Sequence, residues 1–152
     1  MTIDYKKKYL KYKNKYLEAK KQKNQNKMSG GQLKIEDELN EIMGDMKINN
    51  KQFESFVKQN KENILVIIYA HWCGHCVNMI KEIGNELKLD SNSIRIKYLD
   101  GTKLTNELNK NLEVRGFPTI IKIKDSIDIN NLNKIEYEGP RMVKNIIDFL
   151  NK

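Results

Sequence analysis

Cysteine, histidine and proline each occur only twice in the 152 residues, and tryptophan once. Two cysteines are too few to staple a small secreted fold, which takes several bridges. They are also too few for an ordinary structural zinc site, which wants four ligands, usually in two pairs. The only candidates, Cys73, Cys76, His71 and His75, crowd one short stretch and could hardly close into a tetrahedron. Long hydrophobic runs are missing as well, none reaching the ~18–20 residues that cross a bilayer. Lysines interrupt the opening residues, and no apolar core of roughly 7–15 residues follows them, so no secretory signal is expected. The closing DFLNK lacks a retention signal of the K-D-E-L type. These absences point to a reducing, cytosol-like compartment, where a close cysteine pair is catalytic or metal-binding rather than a staple.

Net charge is lacking over most of the chain. Residues 1–31 hold ten lysines against Asp4 and Glu18, which is +8, while residues 32–152 balance 18 basic against 18 acidic side chains. A pI near 9.3 therefore describes an attached basic segment and not the ligand of a folded domain. That segment repeats, YKKKYLK at 5–11 and YKNKYLE at 12–18, and as a helix it would line up Tyr5, Tyr9, Tyr12 and Tyr16. Two heptads are too short to hold a helix alone in water. The segment is either a solvated, fraying tail or one that folds on an acidic partner: nucleic acid, an anionic membrane or a virion component. Residues 20–32, KKQKNQNKMSGGQ, have linker composition, which divides the chain into a tail and linker (1–32) and a domain (33–152).

Within the domain, Ile35, Leu39, Ile42 and Met46 suggest a short helix, and residues 50–59 place Phe53, Phe56 and Val57 on one helical face. ILVIIYA, 64–70, is short and dense in β-branched residues, as in a buried strand. A helix is predicted over 74–88 (Met79, Ile80, Ile83, Leu87 on one face), a strand over 94–100, and a helix over 103–112 with Leu104, Leu108 and Leu112. Strands at 118–124 and 134–138, joined closely enough to pair antiparallel, precede a helix over 141–151 carrying Val143, Ile146, Ile147 and Leu150. The class is α/β, with a mixed central sheet flanked by helices.

Cys73 falls at the junction of ILVIIYA and the next helix. Unsatisfied N–H groups and the positive end of the helix dipole stabilise a thiolate there, and His75 adds positive charge or a hydrogen bond. A thiolate populated near neutral pH is the species that attacks disulfides. Cys76, one turn on, lies on the same side and can resolve the mixed disulfide. The spacing thus reads as a redox pair acting on protein thiols and disulfides, needing no cofactor beyond the Cys73–Cys76 disulfide itself.

Separated segments carry a family resemblance over residues 46–151. YAHWCGHC (69–76), IRIKYLDGT (94–102), VRGFPTI (114–120) and EYEGPRMVKNIIDFL (136–150) are similar, in order, to the thioredoxin superfamily. Within it, W-C-G-H-C resembles the catalytic domains of protein disulfide isomerase. The resemblance implies a thioredoxin fold, Cys73 as nucleophile and Cys76 as resolving thiol, with His75, Trp72 and Gly74 around them. It implies a cis Phe117–Pro118 bond, Pro118 lying against the pair, and the Phe117 backbone pairing with an extended substrate strand. Trp72 would shield the site edge, and Arg115 would swing toward Cys76 and depress its pKa. His75 implies a comparatively oxidising couple, exchanging electrons with glutathione or a sulfhydryl oxidase.

Four positions depart from that pattern. Ile67 stands where the family has a buried acid, Tyr98 where the isomerase has a lysine paired with it, Lys81 at a helix proline, and His71 at the proline before Trp72. Without the acid, Cys76 is expected to give up its proton less easily, slowing release from mixed disulfides. The YLKYKNKYLE segment resembles amino-terminal segments of proteins encoded by large DNA viruses, which implies host-cell cytoplasm or virion, with the tail tethering a packaging component. Ser29-Gly30-Gly31 resembles the Gly-Gly sites cut by viral maturation proteases, or supplies ordinary linker glycines.

Overall fold

The computed structural model describes residues 31–125 and 128–152. The tyrosine heptads, the linker before Gly31 and the cut-site reading lie outside the described residues. The order of elements is α1 (Gly31–Met43), α2 (Asn50–Gln59), β1 (Ile64–Tyr69), α3 (Gly74–Leu89), β2 (Ile96–Asp100), α4 (Asn106–Leu112), β3 (Thr119–Ile123), β4 (Lys134–Glu136) and α5 (Val143–Asn151). α1 begins two residues inside the stretch whose composition reads as linker.

The four strands lie in the order β2-β1-β3-β4, with β1 parallel to β2 and antiparallel to β3, and β3 antiparallel to β4. All six residues of β1 are buried, because helices cover both sheet faces. Alternate residues divide into two cores. Leu65, Ile67, Tyr69, Ile96, Tyr98 and Ile120 pack with α1, α3 and α5. Ile64, Val66, Ile68, Leu99, Ile121 and Ile123 pack with α2 and α4 on the other face. The result is a thioredoxin fold with a mixed sheet, and it puts the β1–α3 junction at the carboxyl end of the central strand.

Local chemistry shifts several predicted boundaries. The strand expected from residue 94 begins at Ile96, because Ser93–Arg95 forms a 3-10 turn that leaves Ile94 exposed. The helix expected from 103 begins at Asn106. Asp100 caps a separate turn over Gly101–Lys103 through the Thr102 N–H, and the Thr105 hydroxyl accepts from the Leu108 N–H as the true cap. β4 stops at Glu136, although the Tyr137 N–H still donates to the Ile120 carbonyl at 2.8 Å.

α1 is bound closely to α3. Leu39, Ile42 and Met43 are buried, and an added Cβ at Gly84 would collide with Ile42 Cγ2, so only glycine lets the helices approach this far. Lys81 Nζ pairs with the nearly buried Glu38 at 3.2 Å, and Lys88 Nζ donates to the Glu41 carbonyl at 3.0 Å. Leu39→Ala is therefore expected to cost about 2–5 kcal/mol, the usual range for emptying a buried leucine site, read from the urea midpoint at constant m. A loss below about 1 kcal/mol would mean that α1 is not docked in solution.

Candidate active site

Cys73 is the N-cap of α3, with extended backbone (φ −88°, ψ 114°). Its N–H donates to the Ala70 carbonyl at 3.1 Å, closing the turn out of β1, and its carbonyl accepts from Val77 at 3.0 Å. The residue thus sits at the first turn of α3, whose N–H groups lack intrahelical partners, with no cap hydrogen bond from its own side chain. It is half-buried, and its sulfur lies 3.6 Å from the Phe117 carbonyl, to which the thiol donates. The Phe117–Pro118 peptide is cis.

Cys76, one turn into α3, is wholly buried, and both cysteines are free thiols. Burial pushes the Cys76 thiol up to about 12, the Ala70 backbone hydrogen bond and the Arg141 charge pulling the other way, while Cys73 adds to the rise. The two sulfurs therefore have opposite surroundings: one opens to solvent at a helix start, the other is held protonated inside. Such a pair suits attack by Cys73 and a later, proton-limited step at Cys76.

The other expected residues fall into place unevenly. Trp72 is 61% exposed and meets the Phe117 ring edge-on at 5.8 Å, so it covers one side of the cysteine pair. Gly74 is exposed, and an added Cβ there would meet nothing within 4 Å; the glycine leaves the approach to Cys73 open and is not demanded by packing. His75 is exposed on the first turn of α3, and His71 is half-buried with Nδ1 lacking a partner. Ile67 is 0% exposed and stands between Tyr98 and Ile120 in the sheet. The Tyr98 hydroxyl is buried with no hydrogen-bond partner.

Two contributors escape the sequence reading. Arg115 is exposed, and the guanidinium whose charge lowers the Cys76 pKa is that of Arg141, just after β4. The legible signal was EGPRM: β4 lies beside β3, so an arginine leaving it returns toward Pro118. Arg141 also borders an open hollow of about 390 Å³ with Pro118, Ile120, Tyr137, Glu138 and Gly139. The second is Gly101, where a Cβ would collide with the Phe117 ring; its absence seats that ring beneath Trp72. Arg141→Gln is expected to raise the Cys76 pKa further and slow mixed-disulfide release about 2- to 5-fold, equivalent to a few tenths of a pKa unit. Stopped-flow release at pH 8 would check this, with Arg115→Gln expected to change it less.

Among the described residues no helix is long and apolar enough to cross a membrane. Comparison with known proteins agrees with the geometry. The thioredoxin family model matches residues 45–152. Protein disulfide-isomerase TMX3 of Xenopus laevis is 35% identical over 103 residues, covering 65% of this chain and 21% of that protein. Protein disulfide-isomerase A3 of Gallus gallus is 34% identical over 105 residues, covering 67% and 20%. The chain therefore spans about a fifth of the length of these relatives. The solution structure of the first thioredoxin domain of mouse protein disulfide-isomerase A4 superposes with a TM-score of 0.53 at 27% identity, covering 68% of this chain and 71% of that one. A family match over the whole sheet, joined to a C-x-x-C helix start facing a cis-proline, means that the chain belongs to the thioredoxin family.

Proposed function

We propose that this chain is a thiol–disulfide oxidoreductase acting on protein substrates through Cys73 and Cys76. In the reducing direction the Cys73 thiolate attacks one sulfur of a substrate disulfide, and the other sulfur leaves as a thiolate. Cys76 then loses its proton and attacks Cys73 Sγ, expelling the second substrate thiolate. The substrate has gained two electrons and the cysteine pair has become a disulfide. Run backwards, the same steps oxidise a dithiol substrate.

The observation that carries this reading is the division of labour in the pair, an accessible sulfur at the N-cap and a buried one a turn behind it. The Trp72–Phe117 edge and the hollow beside Pro118 flank the accessible sulfur and suit an extended polypeptide. Isomerase-type exchange is supported by the W-C-G-H-C turn, and it implies a potential nearer about −180 mV than thioredoxin's roughly −270 mV. Equilibration in glutathione buffers followed by thiol trapping tests both statements. A reversible Cys73–Cys76 disulfide in the more oxidising range is expected. A pair that never closes would end the redox reading, and a potential below that of thioredoxin would end the isomerase-type one.

A further inference from the structure

Two helices begin at the catalytic end of the sheet, and both begin without a side-chain cap. β4 runs in the direction of β1, since each is antiparallel to β3, so α5 starts at the same end as α3. Their buried faces share one core, Ile146 and Leu150 with Cys76, Met79 and Ile80. α2 and α4 are closed at their starts by Asn49 and Thr105, whose side chains each accept a first-turn N–H. The N-cap of α3 is Cys73 and that of α5 is Met142, and neither makes such a bond. For Cys73 the reason is the exchange chemistry. Met142 has the extended backbone of a cap (φ −111°, ψ 145°), a thioether that is only a weak acceptor, and 62% exposure. A large apolar side chain that forgoes the cap and stays in water breaks two local rules at once, and such breaks mark functional sites.

Met142 is also held in place. The Tyr137 hydroxyl donates to the Pro140 carbonyl at 2.6 Å across the turn leading to it, and a Cβ at Gly139 would collide with that hydroxyl. The preceding residue, Arg141, lines the hollow beside Pro118, and its charge reaches Cys76. Among the described residues, Ile94 is exposed before β2 at the far end of the sheet and Ile135 within β4, whereas Trp72 and Met142 are exposed at the catalytic end. We propose that Met142 is a specificity residue that receives an apolar side chain of the client polypeptide, so that disulfides flanked by leucine-like residues are preferred substrates. The proposal rests on the disulfide-exchange reading above and names its substrate class. Packed helices lie about 8–10 Å apart, a span that an extended strand at about 3.3 Å per residue crosses in two to three residues. The side chain received therefore sits two or three positions from the client cysteine that Cys73 attacks. Methionine suits the task because its flexible, polarizable side chain adapts to partners of different shape.

Two disulfide-closed peptides, identical except for leucine or serine two and three residues from each cysteine, provide the test with the full chain. Reduction kcat/KM by the natural chain is expected to favour the leucine peptide about tenfold. Met142→Thr should lower that ratio about 3- to 5-fold through KM, the share of one partly covered apolar contact. Met142→Leu should keep it. The urea midpoint of Met142→Thr should rise, because threonine accepts a first-turn N–H where methionine does not. Equal use of the two peptides by the natural chain, a ratio unchanged in Met142→Thr, or Met142→Leu behaving like Met142→Thr would overturn the proposal. So would a loss confined to kcat, which would point to displacement of Arg141, or a fall in the urea midpoint, which would make Met142 a packing residue. Turnover of neither peptide by the natural chain would count instead against disulfide exchange itself.

Discussion

Replacing Cys73 with serine is expected to bring disulfide reduction down at least about 10³-fold, to the uncatalysed background, because a hydroxyl cannot take the thiolate's place as nucleophile. Cys76→Ser is expected to stop the reaction one step later. The half-buried Cys73 still meets its substrate at the N-cap of α3, but no buried thiol then attacks Cys73 Sγ, so the mixed disulfide persists. On non-reducing gels of reactions with a disulfide-bonded client, the Cys76→Ser chain should accumulate as covalent adducts and the Cys73→Ser chain should not. The asymmetry follows from burial: Cys76 is 0% exposed and no client disulfide reaches it directly. Multiple turnover by the Cys76→Ser chain without adducts would show that resolution comes from elsewhere, and adducts on the Cys73→Ser chain would reverse the assignment.

Much of this site is legible in the sequence because its parts are local. Cys73, Cys76 and Trp72 belong to one strand–turn–helix unit whose apolar run and C-x-x-C spacing announce it, and Phe117–Pro118 sits in a segment with its own signature. The β1 core reads correctly because six consecutive buried residues leave no other interpretation for so short a run. What stays hidden depends on approach in three dimensions. Arg141 acts on Cys76 from 65 positions away in sequence, through the pairing of β3 with β4, whereas sequence position draws the eye to Arg115, beside the Phe117–Pro118 segment. Gly101 looks like an ordinary turn glycine until the Phe117 ring is seen against it. Helix α1 precedes the matched family residues, and its spacing indicates an amphipathic helix but not its parallel course along α3. That course depends on Gly84, which sequence periodicity treats as a gap in an apolar stripe.

Ile67 sets the expected rate of the second step. A thiol pushed up to about 12 is almost entirely protonated near neutrality, so release through Cys76 should rise about tenfold per pH unit between pH 6 and 9, following the thiolate fraction. The sheet position that would hold a proton acceptor is filled by Ile67, fully buried in the same core as Cys76. Ile67→Glu alone puts a carboxylate between Tyr98 and Ile120 with no cation to pair it, which is expected to destabilise the domain by about 3–5 kcal/mol. Adding Tyr98→Lys supplies the partner directly across the β1–β2 register and removes a buried hydroxyl that has no hydrogen bond of its own. The double variant should therefore lose less stability than the sum of the two single changes, with a coupling of about 1–3 kcal/mol in a double-mutant cycle. Its carboxylate can accept the Cys76 proton, and general-base assistance of about 10²-fold at pH 7 is expected. The release profile should flatten accordingly, because the gain is largest where the unassisted thiolate is rarest. Parallel pH profiles for the double variant and the natural chain, measured by quenched release of a preformed mixed disulfide, would mean that the proton of Cys76 leaves by a route that bypasses Ile67.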